Sequence, residues 1–256
     1  MVQDYWPINA WMVPDNLLLP LIQSIVEDLE GMSLFSTFDI RSGYNNVLVR
    51  PEDWHHAAFK TTEGQYKPVV MPFGLMNAPA TFQWMINYYA RPLQVKYGTK
   101  QFKVYLDDVL IATRKEDPPE LHDQIVWEWL EICWKYQLFL QTEKCQFKQA
   151  QVDYLGLIID RDKICPDLTK LKGLTDWPEV LSSKGEVWST IRVFGYQRIF
   201  VENFSKMAAP LMRLLKKEVP FEWTEECTTA IWKLKQKITN ESILWQLQME
   251  NSSSWK

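Results

Sequence analysis

The sequence predicts an α+β fold, in which helices alternate with antiparallel β-hairpins and a mostly helical segment follows. One reason is that short apolar runs flank turn residues, as Ala57–Thr61 and Gln65–Met71 do on either side of Glu63-Gly64. Pairs of that kind are typical of β-hairpins. A second reason is that apolar residues recur at helical spacing between the hairpins, whereas strand signals fade beyond about Asp160. Helices beside mostly antiparallel hairpins define the α+β class.

The first part of the chain is predicted to contain two helices, a strand and a hairpin. Pro20 begins a helix with one apolar face, and Gly31 ends it. A strand covers Leu34–Ile40, and the hairpin just described follows it. Pro79 then begins the second helix, because proline is well tolerated in the first helical turn.

The next elements are a second hairpin, a helix and two short strands. The hairpin joins Phe102–Val104 to Val109–Ala112, and the helix follows Pro118-Pro119. Short strands are predicted at Leu138–Leu140 and Tyr154–Ile159. The apolar stripe of the helix is predicted to be Leu121, Ile125, Trp129, Ile132 and Tyr136.

The region beyond Asp160 is predicted to be helical. Thr224 is a favourable N-cap residue, and Glu225 and Glu226 in the first turn interact well with the helix dipole. The polar residues 251–256 predict a frayed C-terminus. The buried stripe of this last helix is predicted to be Cys227, Ile231, Leu234 and Ile238.

Composition and charge narrow the functional classes. With 256 residues, of which 46% are hydrophobic, the chain can bury a substantial core. The longest apolar stretch is interrupted by Pro20, and the N-terminus has no signal-peptide pattern, so we expect an intracellular protein without membrane spans. The four cysteines form no C-x-x-C pair, which disfavours a zinc site and favours reduced thiols. The formal net charge of −4 argues against tight polynucleotide binding unless basic residues share a local face.

The most informative segment is Tyr105-Leu106-Asp107-Asp108, at the turn of the second hairpin. Two adjacent carboxylates repel each other unless a cation lies beside them. Hard divalent cations such as Mg²⁺ bind one or two carboxylates together with the phosphates of a substrate. The segment therefore indicates a metal-dependent phosphoryl-transfer site.

Two alternatives remain open on spacing alone. Aspartates are common in turns because they accept turn geometry and prefer water, so Asp107 and Asp108 could be ordinary turn residues. A two-metal site needs a carboxylate from another element, and Asp39, at the end of its own strand, is the natural third ligand. Asp39 could equally cap the turn at Arg41-Ser42-Gly43.

Several segments, in order along nearly the whole chain, resemble the reverse transcriptases of gypsy-type long-terminal-repeat retrotransposons, a group abundant in fungi. The three palm motifs match FSTFDIRSGY at 35–44, MPFGLMNAPATFQ at 71–83 and YLDD at 105–108. Later palm and primer-grip motifs match EKCQF at 143–147 and YLGLII at 154–159. The segment that joins polymerase to RNase H matches NFSK at 203–206, APL at 209–211 and FEWT at 221–224.

The resemblance implies a right-hand polymerase fold that extends a primer along an RNA or DNA template with deoxynucleoside triphosphates and two Mg²⁺ ions, with Mn²⁺ as a possible substitute. The implied catalytic residues are Asp39, Asp107 and Asp108, which would hold the metals, and Lys144, a candidate proton donor to pyrophosphate. The implied nucleotide-binding residues are Ile40, Tyr44, Phe73, Gly74 and Gln83. The implied primer grip is Tyr154, Leu155 and Gly156.

For four of these residues the resemblance also implies how they would act. The backbone carbonyl of Ile40 would add a metal ligand, and Tyr44 would exclude a ribose 2′-hydroxyl by steric clash. Gly74 would allow close backbone approach in the nucleotide pocket. Gln83 would support template contact from its helix. An ordinary core aromatic at Tyr44 and an ordinary surface lysine at Lys144 are the alternatives.

The resemblance also implies a domain organisation. Residues 1–160 would form partial fingers and the palm, 161–240 a helical thumb or connection segment, and 241–256 a frayed tail at the start of an absent RNase H-like domain. The basic finger residues of the family would lie upstream of the segment Val2-Gln3-Asp4-Tyr5, and we expect a protein that lacks them. Its location would be cytoplasmic or within an element-encoded particle.

Departures from the family pattern predict weak activity. Trp6 stands where the resemblance implies arginine, and so does Trp188. Replacing a planar phosphate-binding guanidinium is a severe change. We therefore predict that nucleotide addition by this chain is strongly impaired. The alternative function is an inactive retroelement remnant or a domesticated nucleic-acid-binding module.

Overall fold

The computed structural model divides the chain into two compact units, Met1–Tyr154 and Leu155–Lys256. The predicted boundary near Asp160 lies at the end of a strand in the second unit. The predicted tail at 241–256 lies outside the described part of the chain. The residues that the structure describes are 3–17, 20–161, 164–167, 177–196, 198 and 201–240.

Helices and antiparallel strands alternate, as the α+β prediction requires. The α-helices within the described residues are α1 (Trp6–Asn9), α2 (Ile22–Asp28), α3 (Ala78–Tyr97), α4 (Pro119–Lys135), α5 (Lys184–Tyr196), α6 (Phe204–Leu214) and α7 (Glu225–Asn240). The strands there are β1 (Met32–Asp39), β2 (Phe59–Thr61), β3 (Gly64–Tyr66), β4 (Phe102–Tyr105), β5 (Asp108–Arg114), β6 (Gln146–Gln149), β7 (Gln151–Tyr154), β8 (Leu157–Asp160) and β9 (Ile164–Pro166). Single 3₁₀ turns cover Gly43–Asn46, Pro51–Asp53 and Thr142–Lys144.

The first unit is built on a four-stranded antiparallel sheet in the order β4-β5-β1-β6. Helices α3 and α4 pack against it with apolar side chains, among them Phe82 of α3 and Trp129 of α4. The Trp129 ring lies 5.3 Å from the ring of Phe102 on β4. Both rings are fully buried. This core fixes the two central strands, of which β1 ends at Asp39 and β5 begins at Asp108.

Most predicted elements of the first unit are confirmed. Helix α2 follows Pro20, and the β2–β3 hairpin turns where Glu63-Gly64 predicts. Helix α3 begins at Ala78, one residue before the predicted Pro79, and continues through Pro92 to Tyr97. Pro92 is exposed, so its ring faces solvent on the outer side of the helix.

Three local predictions are wrong. Tyr154–Ile159 is not one strand, because Leu155 and Gly156 both have positive φ angles, 51° and 72°, and form a turn between β7 and β8. Leu138–Leu140 contributes only a single bridge to the sheet, between Ile40 and Leu140. A short strand, β9, does occur beyond Asp160.

The predicted stripe of α4 is correct only at its centre. Ile125 and Trp129 are buried, whereas Leu121 and Ile132 are half-buried and Tyr136 is exposed. The buried face is rotated from the predicted stripe because a polar residue belongs to it. The other buried residues of α4 are His122, Val126 and Cys133.

The second unit has a core formed by α5, α6 and α7. Val187 and Phe194 of α5 and Leu211 of α6 are fully buried in it. Helix α7 follows Thr224 and has Glu225 and Glu226 in its first turn, as predicted. All four residues of its predicted stripe are buried: Cys227, Ile231, Leu234 and Ile238.

His122 joins α4 to the two central strands of the first unit. Its Nε2 lies 2.7 Å from Ser36 Oγ on β1, and its Nδ1 lies 2.9 Å from Thr113 Oγ1 on β5. Ser36 Oγ also accepts the Lys148 N–H at 2.9 Å, which favours a neutral ring with its proton on Nδ1. Burial lowers the pKa of His122, and the charge of Lys148 acts in the same direction against that of Asp123.

We predict that His122 makes folding sensitive to acid. Because its pKa is lowered in the folded protein, the unfolded chain binds more protons below about pH 6.5, and stability falls by up to about 1.4 kcal/mol per pH unit there. The stability that neutral His122 contributes is fully present above pH 6.5, and it decreases as the pH falls towards the pKa of His122 in the folded protein. His122→Gln, which keeps a donor and an acceptor, should lack it. Urea unfolding at pH 7.5 and pH 5 measures the difference, and parallel losses in both proteins would contradict the prediction.

Candidate active site

The three predicted carboxylates lie at one end of the four-stranded sheet, where β1 ends and β5 begins. In the antiparallel register of β1 and β5, Asp39 is directly opposite Asp108. Asp107 occupies the turn before β5, and its carbonyl accepts the Ile40 N–H at 2.9 Å. The turn itself depends on Leu106, whose φ is 51°. The sheet therefore sets Asp39 beside the turn, as the predicted metal site requires.

Two residues of neighbouring elements shape this turn. Gln83 Oε1 accepts the Leu106 N–H at 2.6 Å, and Gln83 Nε2 donates to Asn87 Oδ1 at 2.8 Å. A Cβ atom on Gly43 would lie 3.6 Å from the Cβ of Asp107, so the backbone passes close to the carboxylate there. The turn is thus held from α3 and from the segment after β1.

Gln83, which is predicted to bind nucleotide and to support template contact, directs its side chain into the protein. The side chain is fully buried, and both polar atoms of its amide form hydrogen bonds inside the protein. A buried backbone N–H in the turn needs an acceptor, and Gln83 supplies it to Leu106. Gln83 is therefore a positioning residue for the Asp107 turn.

Lys144 meets the carboxylates from the 3₁₀ turn before β6. Its Nζ donates to Asp39 Oδ2 at 3.0 Å. The hydrogen bond to Asp39 and the charge of that carboxylate raise the pKa of Lys144, and the charges of Asp107 and Asp108 raise it further. The ammonium group therefore contacts Asp39, interacts with Asp107 and Asp108 through their charge, and stays cationic at neutral pH.

Aromatic rings form the wall beside the carboxylates. The Tyr44 ring lies 4.9 Å from the ring of Phe73 and 5.8 Å from that of Phe82. Burial raises the pKa of Tyr44, and the nearby charge of Asp107 adds to the effect. Phe73 is mostly exposed. Tyr44 thus lies between the core and an open aromatic surface next to Asp107.

Helix α1 supports the loop that carries Phe73. Asn9 Nδ2 donates to the Gly74 carbonyl at 2.9 Å, and Asn9 Oδ1 accepts the Met76 N–H at 2.9 Å. Gly74 has φ +100°, and a Cβ atom there would lie only 3.0 Å from the Tyr5 ring. The close approach predicted for Gly74 is therefore made to Tyr5. Nothing in the sequence pattern indicates the role of Asn9.

The predicted primer grip is divided between the two units. Tyr154 belongs to the first unit, where its hydroxyl donates to the Asp108 carbonyl at 3.4 Å. Burial raises the pKa of Tyr154 well above its usual value. Leu155 and Gly156 belong to the second unit and form the turn before β8. The structure thus brings Tyr154 to the carboxylate site.

The donor set fits hard divalent cations. Carboxylate oxygens are the ligands that Mg²⁺ prefers, and it usually keeps several waters and binds substrate phosphates as well. Within the described residues no three His, Cys, Asp or Glu side chains form a ready-made metal cage. Asp39 also forms an ion pair with Lys144, and an opposite charge of this kind favours the ionised carboxylate.

A four-stranded antiparallel sheet backed by helices, with three carboxylates at one end, defines a protein of the polymerase palm class. The family model described as "Reverse transcriptase (RNA-dependent DNA polymerase)" matches residues 2–159. The chain belongs to this reverse transcriptase family. No helix in the described part of the chain is long and apolar enough to span a bilayer.

The chain is also similar to individual proteins. It is 31% identical to the transposon Tf2-3 polyprotein of Schizosaccharomyces pombe over 246 residues, which cover 95% of this chain and 18% of the polyprotein. The foamy viral protease-reverse transcriptase in complex with an RNA/DNA hybrid matches with a TM-score of 0.76 and 20% identity, over 93% of this chain and 31% of that one. The same viral protein in complex with dsDNA matches with a TM-score of 0.75 and 21% identity, over 94% of this chain and 49% of that one.

Proposed function

We propose that this chain is the RNA-directed DNA polymerase domain of a gypsy-type retrotransposon polyprotein. The observation that carries the proposal is the β1–β5 register, which places Asp39 opposite Asp108 with Asp107 in the adjoining turn. A relative that is a transposon polyprotein supports the retrotransposon origin. The chain spans about a fifth of that polyprotein, so the activity and partners of the whole protein are part of the proposal.

The geometry suits nucleotidyl transfer to a primer 3′-hydroxyl. Asp39, Asp107 and Asp108 would hold two Mg²⁺ ions, which when bound polarise the primer hydroxyl and neutralise charge on the leaving pyrophosphate. Tyr44 restricts the space beside Asp107, where the sugar of the incoming nucleotide would lie. Lys144 keeps a positive charge next to Asp39 and can approach the leaving phosphates. Catalysis would then consist of positioning and electrostatic stabilisation.

Template and primer are the proposed partners, despite the acidic net charge. In the second unit a cavity of about 940 Å³ is lined by four basic residues, one of which, Arg213, also pairs with Glu226 at 3.8 Å; among the residues that the structure describes, no acidic side chain lines the cavity. Cationic surfaces of this kind bind nucleic-acid phosphates. This surface carries local positive charge, although the net charge of the whole chain is negative. The four residues are Arg192, Arg198, Arg213 and Lys216.

We propose the domain roles on the same basis. Residues 1–160 would form palm and partial fingers, and residues 161–240 would form a thumb or connection segment. The sheet with its three carboxylates supports the palm assignment. The helical core of α5–α7 supports the thumb assignment. We further propose that the protein works in the cytoplasm or in an element-encoded particle, where the buried Cys133 thiol, with its pKa raised to about 12 by burial, stays reduced.

Primer extension tests the proposed function. The substrate is poly(rA)/oligo(dT) with dTTP, and Mg²⁺ and Mn²⁺ are compared at high enzyme concentration. We expect slow, metal-dependent addition of the first nucleotides, because Trp6 replaces the implied arginine. Robust processive synthesis would contradict the predicted impairment. Absence of both divalent-cation binding and nucleotide addition would contradict the proposed function itself.

The alternative function is a non-catalytic module that keeps the palm and binds nucleic acid. Trp6 and the formal net charge of −4 favour it. The module would bind template and primer with the same affinity whether or not divalent cations are present. A chain whose primer-template affinity rises with Mn²⁺ and a matching dNTP, measured by fluorescence anisotropy, is behaving as a polymerase.

Tyr44→Ala is predicted to relax sugar selection. Removing the ring that packs on Phe73 opens space beside Asp107 for a ribose 2′-hydroxyl. Steric selection of this size is worth roughly 10- to 100-fold. The ratio of rUTP to dTTP incorporation, measured by single-nucleotide extension, should rise by about that factor. Phe73→Leu keeps Tyr44 and is the matched control; an equal rise there would contradict the role of Tyr44.

Lys144→Gln is predicted to separate metal binding from catalysis. The Lys144 ammonium pairs with Asp39 where a cation would bind, so its removal should tighten Mn²⁺ binding by up to about fivefold, the range of exposed ion pairs. Primer extension should nevertheless slow, because the charge near the leaving phosphates is lost. Electron paramagnetic resonance measures Mn²⁺ binding, and Lys135→Gln is the control. Weaker Mn²⁺ binding by Lys144→Gln would contradict the prediction.

A further inference from the structure

Helix α3 has an apolar face that the first unit does not use. Its inner face is in the core through Phe82 and Ile86. On its outer face Trp84 is 64% exposed, Tyr88 62% and Val95 79%. Three large apolar side chains on one exposed helical face are unusual in a protein that acts alone.

The spacing on this outer face matches that of a coiled-coil seam. Trp84, Tyr88, Arg91 and Val95 are separated by four, three and four residues, the alternation of the a and d positions of a heptad. Arg91 is exposed like its neighbours. The Trp84 and Tyr88 rings already stack, with centroids 6.0 Å apart and planes 13° apart. The aromatic half of the seam, Trp84 and Tyr88, is therefore preformed on one side of α3.

The seam is complementary to itself when two helices run antiparallel. The midpoint between Trp84 and Val95 is also the midpoint between Tyr88 and Arg91. A two-fold axis at that midpoint sets Trp84 against Val95 of the second copy, and Tyr88 against Arg91 of the second copy. Such a contact uses the same patch on both subunits, as two-fold dimers do.

Electrostatics favour this pairing over a parallel one. In the antiparallel arrangement each guanidinium of Arg91 faces a Tyr88 ring, and cation–π contacts of this kind are favourable. In a parallel arrangement Arg91 would face Arg91, and like charges would repel. Because Trp84 and Tyr88 are 64% and 62% exposed, the four aromatic side chains of the two seams would bury roughly 400–600 Å², about two thirds of the 150–250 Å² that each can bury. That is the size of a weak, reversible interface.

We infer that α3 is a self-association helix, which pairs antiparallel with α3 of a second copy of this chain. Dimer formation is then concentration-dependent. It depends on the outer face of α3 and is independent of the carboxylate site, so failure of the polymerase proposal would leave it standing.

Sedimentation and cross-linking test this inference on the 256-residue chain. Sedimentation from about 1 to about 100 μM should show a monomer–dimer equilibrium. Trp84→Gln and Arg91→Glu should each shift it at least about tenfold towards monomer, a change of about 1.4 kcal/mol. Trp11→Gln removes an indole that is 91% exposed outside the seam and should leave the equilibrium unchanged. Circular dichroism verifies that each variant is folded.

Disulfide cross-linking tests the antiparallel register. Trp84→Cys and Val95→Cys proteins, mixed and oxidised, should form a covalent dimer well above the level of each protein alone and of the native chain. Within one chain these positions lie about 16 Å apart along the helix, too far for a disulfide. Equal cross-linking of Trp84→Cys with itself would overturn the antiparallel register. A protein that stays monomeric at all concentrations would overturn the dimer. This holds also if added nucleic acid then covers the seam of the monomer.

Discussion

Asp107→Asn is expected to reduce nucleotide addition by about 10²–10³-fold, the range found when one preorganised electrostatic group is removed from an active site. The side chain of Asp107 points from a turn whose backbone is held independently. Its carbonyl, and not its carboxylate, accepts the Ile40 N–H, and Gln83 holds the neighbouring Leu106 N–H. Asparagine has nearly the same shape, so the hairpin should keep its geometry while a metal ligand loses its charge.

Two measurements separate loss of chemistry from loss of fold. Single-nucleotide extension with Mn²⁺ gives the rate, and electron paramagnetic resonance gives the number of Mn²⁺ ions bound. We expect Asp107→Asn to reduce both and to leave the unfolding midpoint in urea unchanged. Glu131→Gln makes the same change of charge on the exposed side of α4 and should alter neither. An Asp107→Asn protein that extends primers at the native rate would contradict the assigned site.

The hairpin that carries Asp107 and Asp108 was predictable from sequence because its signals are local. Two apolar runs flank a short polar turn, and the same pattern locates the β2–β3 hairpin. The pairing of β1 with β5 is different, because it joins residues distant in sequence and follows from no local pattern. Spacing alone therefore leaves two roles for Asp39, metal ligand or cap of the following turn. The family motifs favour the first role, and the strand register sets Asp39 opposite Asp108.

Polar contacts that cross the core were not predictable. His122 lies on the buried face of α4, although an apolar pattern predicts no polar residue there. It can be buried because Ser36 and Thr113 on two strands form hydrogen bonds with its ring. Gln83 is the last residue of a motif that implies nucleotide binding, yet it accepts the Leu106 N–H. In both cases the partner belongs to an element remote in sequence. The turn at Leu155 was missed for a related reason, since leucine gives no signal for a positive φ.

Trp6→Arg is expected to increase the rate of first-nucleotide addition by about 10- to 100-fold, because charge-assisted hydrogen bonds contribute about 1.5–3 kcal/mol. The Trp6 side chain is 83% exposed, so its replacement removes little packing. Residue 6 adjoins Tyr5, whose ring lies against Gly74, and α1 holds the same loop through Asn9. An arginine there would therefore start beside the loop that carries Phe73 and Gly74, two of the residues implied to bind the incoming nucleotide.

The kinetic pattern decides whether the guanidinium acts on the triphosphate. A phosphate contact that forms in the ground state lowers the KM for dTTP, and one that strengthens during transfer raises kcat. Either gain should decrease as salt is added, because it depends on charge. Trp6→Gln distinguishes loss of the indole from gain of the cation, and Trp11→Arg adds the same charge at another exposed tryptophan. If Trp6→Gln matched Trp6→Arg, the indole itself would be the obstacle, and the weak activity would not result from a missing arginine.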